Sequence, residues 1–356
     1  MRKRLQEAPL MAQLESDLKS NDETTQTESK RVLPFEFRGD GTEYFKIWIV
    51  NIFLTLITLG IYSAWATVRN NRYFYGNTFV DGTSFSYLAK PLQILKGRII
   101  AVVVFTLFVG LAGAFPVAGA ILYLVLGFAA PYIYNQSLAF KMRNTSYKNI
   151  QFRFNGDYGE AFGVLVIWPF LGLISLGLLY PFVLLKMHQY RMNQTAYGTT
   201  QFVFSAQVKS YYKIFGIGVG ILLGLLAFGM GVLNGLGLMS PNGAAVLAGF
   251  VAYIFVVTYF TVAFTNLVFI STSLKEHGFN ATLTLKGYVK VVLINMLLIV
   301  ITLGLYLPAA KVRIMKYITS CIELHERGSL DDFIAAEKES VSALGEQLGD
   351  VFDFSV

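Results

Sequence analysis

Five stretches of this chain contain no Asp, Glu, Lys or Arg: Ile47–Val68, Ile99–Phe140, Ala161–Leu185, Ile214–Leu274 and Val291–Ala310. A bilayer-spanning helix needs about 20 consecutive apolar residues, so each stretch can span once, and the second and fourth can span twice. Composition agrees: the chain is 54% hydrophobic and 14% charged, against about 45–50% and about 25% in soluble domains. These features define an integral membrane protein. The net charge of +7 suits a membrane-facing role better than nucleic-acid binding, because no soluble basic domain exists to carry the latter.

The apolar stretches belong to a repeat. "FEFRGDGTEYF" at Phe35 returns as "FRFNGDYGEAF" at Phe152, and "TLGIY" at Thr58 falls in register on "SLGLL" at Ser175. A third copy carries "TLGLY" at Thr302, with Tyr44, Lys46, Asn51, Arg69 and Tyr73 matching Tyr288, Lys290, Asn295, Arg313 and Tyr317. The resulting organisation is a disordered N-terminal tail (1–34), repeat 1 (35–150), repeat 2 (151–278), a partial repeat 3 (279–321) and an acidic C-terminal tail (322–356). Each full repeat holds a "TLG" helix, a β-hairpin and two spans. The tail has no apolar core of the kind a cleavable signal carries. Internal repeats are frequent in transport proteins without proving transport.

Asp40 with Glu43, and Asp157 with Glu160, have capping-box spacing ahead of an apolar run. They are expected to be structural caps; a metal- or proton-handling carboxylate pair is the competing reading, and the third copy's Thr284 and Gly287 speak against a shared catalytic duty. After each break comes an aromatic, basic helix: Trp65, Arg69, Arg72 and Tyr73, then Lys186 and Tyr190, then Arg313, Lys316 and Tyr317. Such residues anchor at headgroup level, and the sharper expectation is contact with anionic lipid or a partner. Asp81-Gly82 signals a two-residue hairpin turn, with Tyr197-Gly198 a weaker version.

The expected fold is therefore an all-α polytopic membrane protein with small surface β-hairpins and seven hydrophobic helices. Four make full spans and three "TLG" helices are re-entrant or interfacial; seven full spans are the alternative. Seven spans would divide the 29 lysines and arginines almost evenly between the two sides, contrary to the usual cytoplasmic excess. An even number of passes puts them all on the cytoplasmic face, with both termini there.

Gly216, Gly220 and Gly224 form a small-xxx-small stripe for helix packing, within the hairpin or between two copies. The intramembrane polar residues Asn51, Asn135, Asn266 and Asn295 are expected to bond neighbouring helices, a substrate path being the other reading. No charged residue lies within any tract, which disfavours a pump or ion-coupled carrier. His188, His277 and His325 have no partner at metal-ligand spacing, no G-x-S-x-G elbow occurs, and lone Cys321 cannot form an intramolecular disulfide. The chain is expected to be non-enzymatic, without cofactor or metal.

"FEFRGDGTEYF", "TLGIYSAWATVRNNRYFYGNTFVDGTSFSY" and their later echoes resemble the YjgN family of bacterial inner-membrane proteins, defined around domain of unknown function 898. The likeness runs from about Phe35 to Tyr317, with Gln189 departing from the basic pattern in the second copy. The resemblance implies a multi-pass inner-membrane protein and brings no catalytic residue. The leading functional expectation is a basic aromatic cytoplasmic face that contacts membrane lipids through anionic headgroups, or a protein partner, with no nucleic acid. The alternative is a channel or carrier for a small neutral solute through the repeat interface.

Overall fold

The computed structural model describes residues 31–237 and 240–353; the tail expected at 1–34 lies almost wholly outside them. Its strands are β1 (Val32–Pro34), β2 (Glu36–Phe37), β3 (Thr78–Val80), β4 (Thr83–Tyr87), β5 (Thr145–Tyr147), β6 (Ile150–Phe154), β7 (Thr195–Tyr197), β8 (Thr200–Phe204), β9 (Thr272–Leu274), β10 (His277–Ala281) and β11 (Ile322–His325). They form one antiparallel sheet in the order β1-β11-β10-β9-β8-β7-β6-β5-β4-β3-β2. Only Phe35 separates β1 from β2, so the chain itself joins the two ends of that order and the sheet closes on itself. The Phe35 N–H donates to Ile322 O at 2.9 Å on one flank, and the Arg38 N–H to Asn77 O at 2.9 Å on the other. Closure through the chain leaves only the short unpaired sides of β1 and β2 as edge, little for foreign strands to join.

This overturns the expectation of an all-α fold with small surface hairpins. One turn was legible singly: Asp81-Gly82 holds positive φ at both residues, the geometry of a tight hairpin. Lys148-Asn149 does the same without having been singled out in sequence, and the turn expected at Tyr197-Gly198 falls at Gly198-Thr199, Tyr197 being the last residue of β7. What local pattern does not carry is that each hairpin pairs with the next one across an entire pair of helices.

Those helices come in pairs, each rising from one strand and returning to the next. They are α1 (Gly41–Ile57) with α2 (Ser63–Gly76), α3 (Pro91–Ala114) with α4 (Pro116–Arg143), and α8 (Val208–Gly235) with α9 (Pro241–Ile270). α10 (Leu285–Ile301) pairs with α11 (Leu307–Thr319). In the third pair α5 (Tyr158–Phe162), a π-helical turn (Gly163–Ile167) and α6 (Trp168–Ile174) together face α7 (Tyr180–Asn193). Successive pairs touch, and α11 packs on α1, so a ring of helical hairpins stands on the ring of strands. Each full sequence repeat holds two β–α–α–β units, and the partial repeat holds one. The acidic segment expected as a C-terminal tail supplies β11 and then α12 (Leu330–Asp353).

Four helices, α3, α4, α8 and α9, are long and apolar enough to cross a membrane. The "TLG" pairs are shorter; α1 at 17 residues is about 25 Å long at 1.5 Å per residue. Each reverses in the same way. Leu59, Leu176 and Leu303 take φ of 48°, 53° and 50°, followed by Gly60, Gly177 and Gly304 at 92°, 87° and 91°. The Gly60 N–H donates to Thr55 O (2.8 Å) and the Leu59 N–H to Leu56 O (3.2 Å), a Schellman stop. The Thr58 hydroxyl donates to Leu54 O (2.7 Å) and accepts from the Tyr62 N–H (2.9 Å), stitching both helices; Ser175 and Thr302 repeat this. The three leucines are 93–94% exposed, apolar tips that suit a lipid environment and satisfy no packing need within the chain.

The α8–α9 contact corrects one of the two uses expected of the glycine stripe, packing within the hairpin. A Cβ on Gly216, Gly220 or Gly224 would meet nothing within 4 Å, whereas Gly218 lies against Phe260 and Gly229 against Ala248. The Gly-every-four pattern is real in sequence, but those three positions point away from the partner helix.

Replacing Gly60, Gly177 or Gly304 by alanine forces a Cβ into left-handed backbone, at a cost of about 1–2 kcal/mol each. Thermal unfolding of detergent-purified protein should show a lower midpoint for each, and Gly216→Ala, at an unobstructed helix-interior position, should not lower it.

Candidate functional site

The barrel interior is built in layers that follow from strand alternation. Phe35, Phe85, Phe152, Phe202 and Phe279 occupy equivalent positions, one per unit, and pack against the buried interior cluster. Neighbouring rings lie 6.4, 6.4, 6.3 and 6.2 Å apart from Phe35 round to Phe279. Opposite the last four on paired strands stand Tyr147, Tyr197, Leu274 and Leu324. The Tyr147 hydroxyl donates to Val80 O (2.9 Å) and the Tyr197 hydroxyl to Tyr147 O (3.0 Å). Burial pushes the Tyr147 hydroxyl up to about 12, and Tyr197 is also raised, so both stay neutral.

Helix α12 closes one end. Leu330, Phe333 and Ile334 enter the barrel cluster. Buried Glu337 accepts from the Thr199 N–H (2.7 Å) and hydroxyl (2.9 Å) and from the Thr200 hydroxyl. Lys148 bridges Asp81 (2.9 Å) and Asp331 (3.1 Å), and this lysine, helped by Arg31, holds the Asp81 carboxyl below the usual range. His277 points inside; its Nδ1 accepts from the Arg327 N–H (3.3 Å), and its ring meets Phe333 edge-on at 5.3 Å. Burial lowers its pKa, with Lys275 adding to that and Glu326 and Glu276 opposing it.

A cavity of about 400 Å³ runs from α12 through the phenylalanine ring to the sheet-side ends of α4, α7 and α9. Its wall is nearly all apolar, but Lys141 and Arg191 line the end where the helices begin.

The residues singled out in sequence take diverse places. Asp40 caps α1, its Oδ1 accepting from the Thr42 (2.8 Å) and Glu43 (3.1 Å) N–H groups; Asp157 likewise accepts from the Glu160 N–H (3.0 Å). The backbone N–H of Asp40 goes to the Tyr73 hydroxyl (2.7 Å), and Glu160 accepts from Gln194 (2.7 Å). Tyr73, Tyr190 and Tyr317 are internal struts: their hydroxyls bond Asp40, Asn135 with Asp157, and Thr284. Asn135 and Asn266 hold the backbone at Gly156–Asp157 and at Leu283, where the next unit begins. Asn51 donates to Asn70, and Asn295 donates to Ala310 O while accepting from Arg313. Arg69, Arg72 and Lys316 are exposed and Lys186 half-buried; Trp65 stacks on Tyr62, and Lys186 lies 5.4 Å from the Phe182 ring.

Sequence reasoning missed the phenylalanine ring, His277, Glu337, and Lys141 with Arg191. The signal for the ring was present: Phe35 and Phe152 coincide in the repeated string, and "SFS", "QFVF" and "GFN" carry the same central Phe on alternating strands.

A family profile described as "Bacterial protein of unknown function (DUF898)" matches residues 32–351. Among curated proteins, the "Inner membrane protein YjgN" of Escherichia coli O157:H7 and that of strain K12 are each 32% identical over 154 residues, covering 43% of this chain and 38% of theirs. The chain thus matches well under half the length of those two relatives. The protein of the same name from Salmonella typhimurium is 24% identical over 351 residues, covering 83% of this chain and 88% of its own. No solved structure matches.

Because folded His277 binds its proton less readily than the unfolded chain does, its contribution is complete above the ordinary imidazole pKa of about 6.5. It is lost as pH falls from there through the lowered folded value. Hydrogen exchange in residues 330–343 should therefore accelerate between about pH 7.5 and about pH 5.5, less so in His277→Gln. Glu337→Ala should raise that exchange at every pH, since leaving its buried partners unpaired costs about 1–3 kcal/mol.

Proposed function

The chain belongs to the DUF898 family of bacterial proteins, and on that premise we propose that its sheet-side basic face binds anionic lipid of the cytoplasmic leaflet. It is a multi-pass membrane protein whose relatives are named as inner-membrane proteins. In this reading it is non-enzymatic, and both termini, like the barrel, lie in the cytoplasm.

One observation carries the reading. In the helical hairpins the cations lie between the sheet-side ends and about mid-hairpin, Lys46, Arg69, Lys186, Lys311 and Lys316 among them, and none occupies a "TLG" turn or the half of a long helix far from the sheet, while Glu43 and Glu160 are the acids of these helices. All five hairpins rise from the same rim of the barrel, so these cations form a broad belt on the sheet side of the hairpins. A basic residue near an anionic surface gains about 1 kcal/mol. Aromatic rings sit among the cations, with Arg313 lying 5.4 Å from the Tyr306 ring, and such amphipathic rings favour the headgroup layer.

Changing Arg69, Lys186, Lys311 and Lys316 together to glutamine should lower the anionic phospholipid that co-purifies in mild detergent by several-fold, read by mass spectrometry against protein. Neutral phospholipid should be unaffected. Unaltered anionic lipid in a variant that still melts normally would contradict the proposal.

A further inference from the structure

The cavity inside the barrel is a different feature, which meets that belt only at Lys141 and Arg191. At about 400 Å³ it falls within the roughly 300–1,000 Å³ of small-molecule sites. Apart from His277 Nε2 and the two cations at the helix-side end, its polar groups are already spent. The Thr145, Thr195 and Thr272 hydroxyls donate to Lys141 O, Arg191 O and Val268 O at 3.0, 2.6 and 2.6 Å, and the two tyrosines bond to strand carbonyls. A buried water needs about 2–4 polar partners, which this wall does not supply. Hydrocarbon is the complementary filling.

The phenylalanine ring is a collar, not a stopper. Its centroid spacings of 6.2–6.4 Å sit toward the wide end of the roughly 4.5–7 Å found for touching aromatic pairs, and the cavity passes through it. At the helix-side end Lys141 and Arg191, on adjacent units, are exposed yet line the same cavity. Neither joins the salt bridges found among the described residues. Two cations without carboxylates at the end of an apolar shaft create a site for one negative group, and a guanidinium recognises carboxylate or phosphate in a fork.

We infer that the barrel binds a single-chain amphiphile, its hydrocarbon tail passing the phenylalanine collar toward α12 and its carboxylate or phosphate head held by Lys141 and Arg191. The site rests on the membrane placement proposed above and uses two sheet-side cations, Lys141 and Arg191, that line the lumen and are not among the four changed in the belt variant. The amphiphile enters at headgroup level, where such molecules partition. Lys141 and Arg191 set the sign of the head, and the single collar limits the tail to one chain.

The test uses the full chain in mild detergent with a fatty acid that carries a photoactivatable diazirine at its terminal carbon. Labelling should map by mass spectrometry to α12, at Leu330, Phe333 or Ile334, which line the far end of the cavity. The double variant Lys141→Glu, Arg191→Glu should reduce it about tenfold or more, as loss of charge-assisted contacts implies. Leu274→Trp, which fills the lumen without altering charge, should do the same, so that a misfolded charge variant does not leave the question open. Displacement by unlabelled fatty acid alone assigns a carboxylate head; displacement by lysophosphatidic acid alone assigns a phosphate. Labelling confined to the outer helix faces, indifference to both variants, or displacement by neither amphiphile would overturn the inference. The four-glutamine belt variant should label its lumen normally, so failure of the belt and failure of the lumen are told apart.

Discussion

The whole structure depends on one bent strand. β1 and β2 are a single run of chain interrupted at Phe35, and by pairing with β11 on one flank and β3 on the other they turn a ladder of hairpins into a closed ring. Strands of two to five residues are marginal alone; with β1 and β2 counted as one bent strand, each has two neighbours, and the interior acquires a common axis. That axis gives five phenylalanines from distant parts of the sequence a shared centre. It also fixes all helical hairpins to one rim and leaves the opposite end to α12.

Lengths of the hairpins then decide what each does. The long pairs, α3–α4 and α8–α9, have the apolar length to cross a bilayer. The "TLG" pairs are built to stop short: a Schellman turn satisfies the last amides of the first helix, a Thr or Ser hydroxyl bonds both helices, and a leucine occupies the tip. Backbone that reverses inside an apolar medium must satisfy its own polar groups, and this turn does so without outside help. Exposed leucines at the tips and cations on the sheet side of them give each hairpin the same polarity, and the lipid contact and lumen site proposed above both take their position from it.

Much of this was legible in sequence. Charge-free tracts located the helical hairpins, the repeat register matched Asn51 with Asn295 and Tyr73 with Tyr317, and G-D-x-x-E located real helix caps at Asp40 and Asp157. The closed sheet was not legible, for a physical reason: hydrogen-bond pairing between β4 and β5, or β8 and β9, joins segments separated by whole helical hairpins, and alternation in a three- to five-residue strand records which face is buried but not which strand lies beside it. Charge and aromaticity also misdirect. Tyr73 and Tyr190 look like interfacial residues beside their arginines and lysines, yet both are buried struts. The glycine stripe at Gly216, Gly220 and Gly224 is one residue pattern among several on α8, and packing selected Gly218 and Gly229 instead.

Closure can be measured directly by disulfide trapping in membranes, in a Cys321→Ser background. Val32 lies opposite His325 across β1 and β11, and Glu36 opposite Phe79 across β2 and β3; antiparallel partners have Cα atoms about 4.5–5.5 Å apart, within reach of a disulfide. With cysteines at all four positions, mild oxidation should form both bonds in the same molecule. Formation of only one of the two, in chains whose other pair stays reduced, would mean that the sheet is open at Phe35 and that the barrel does not exist.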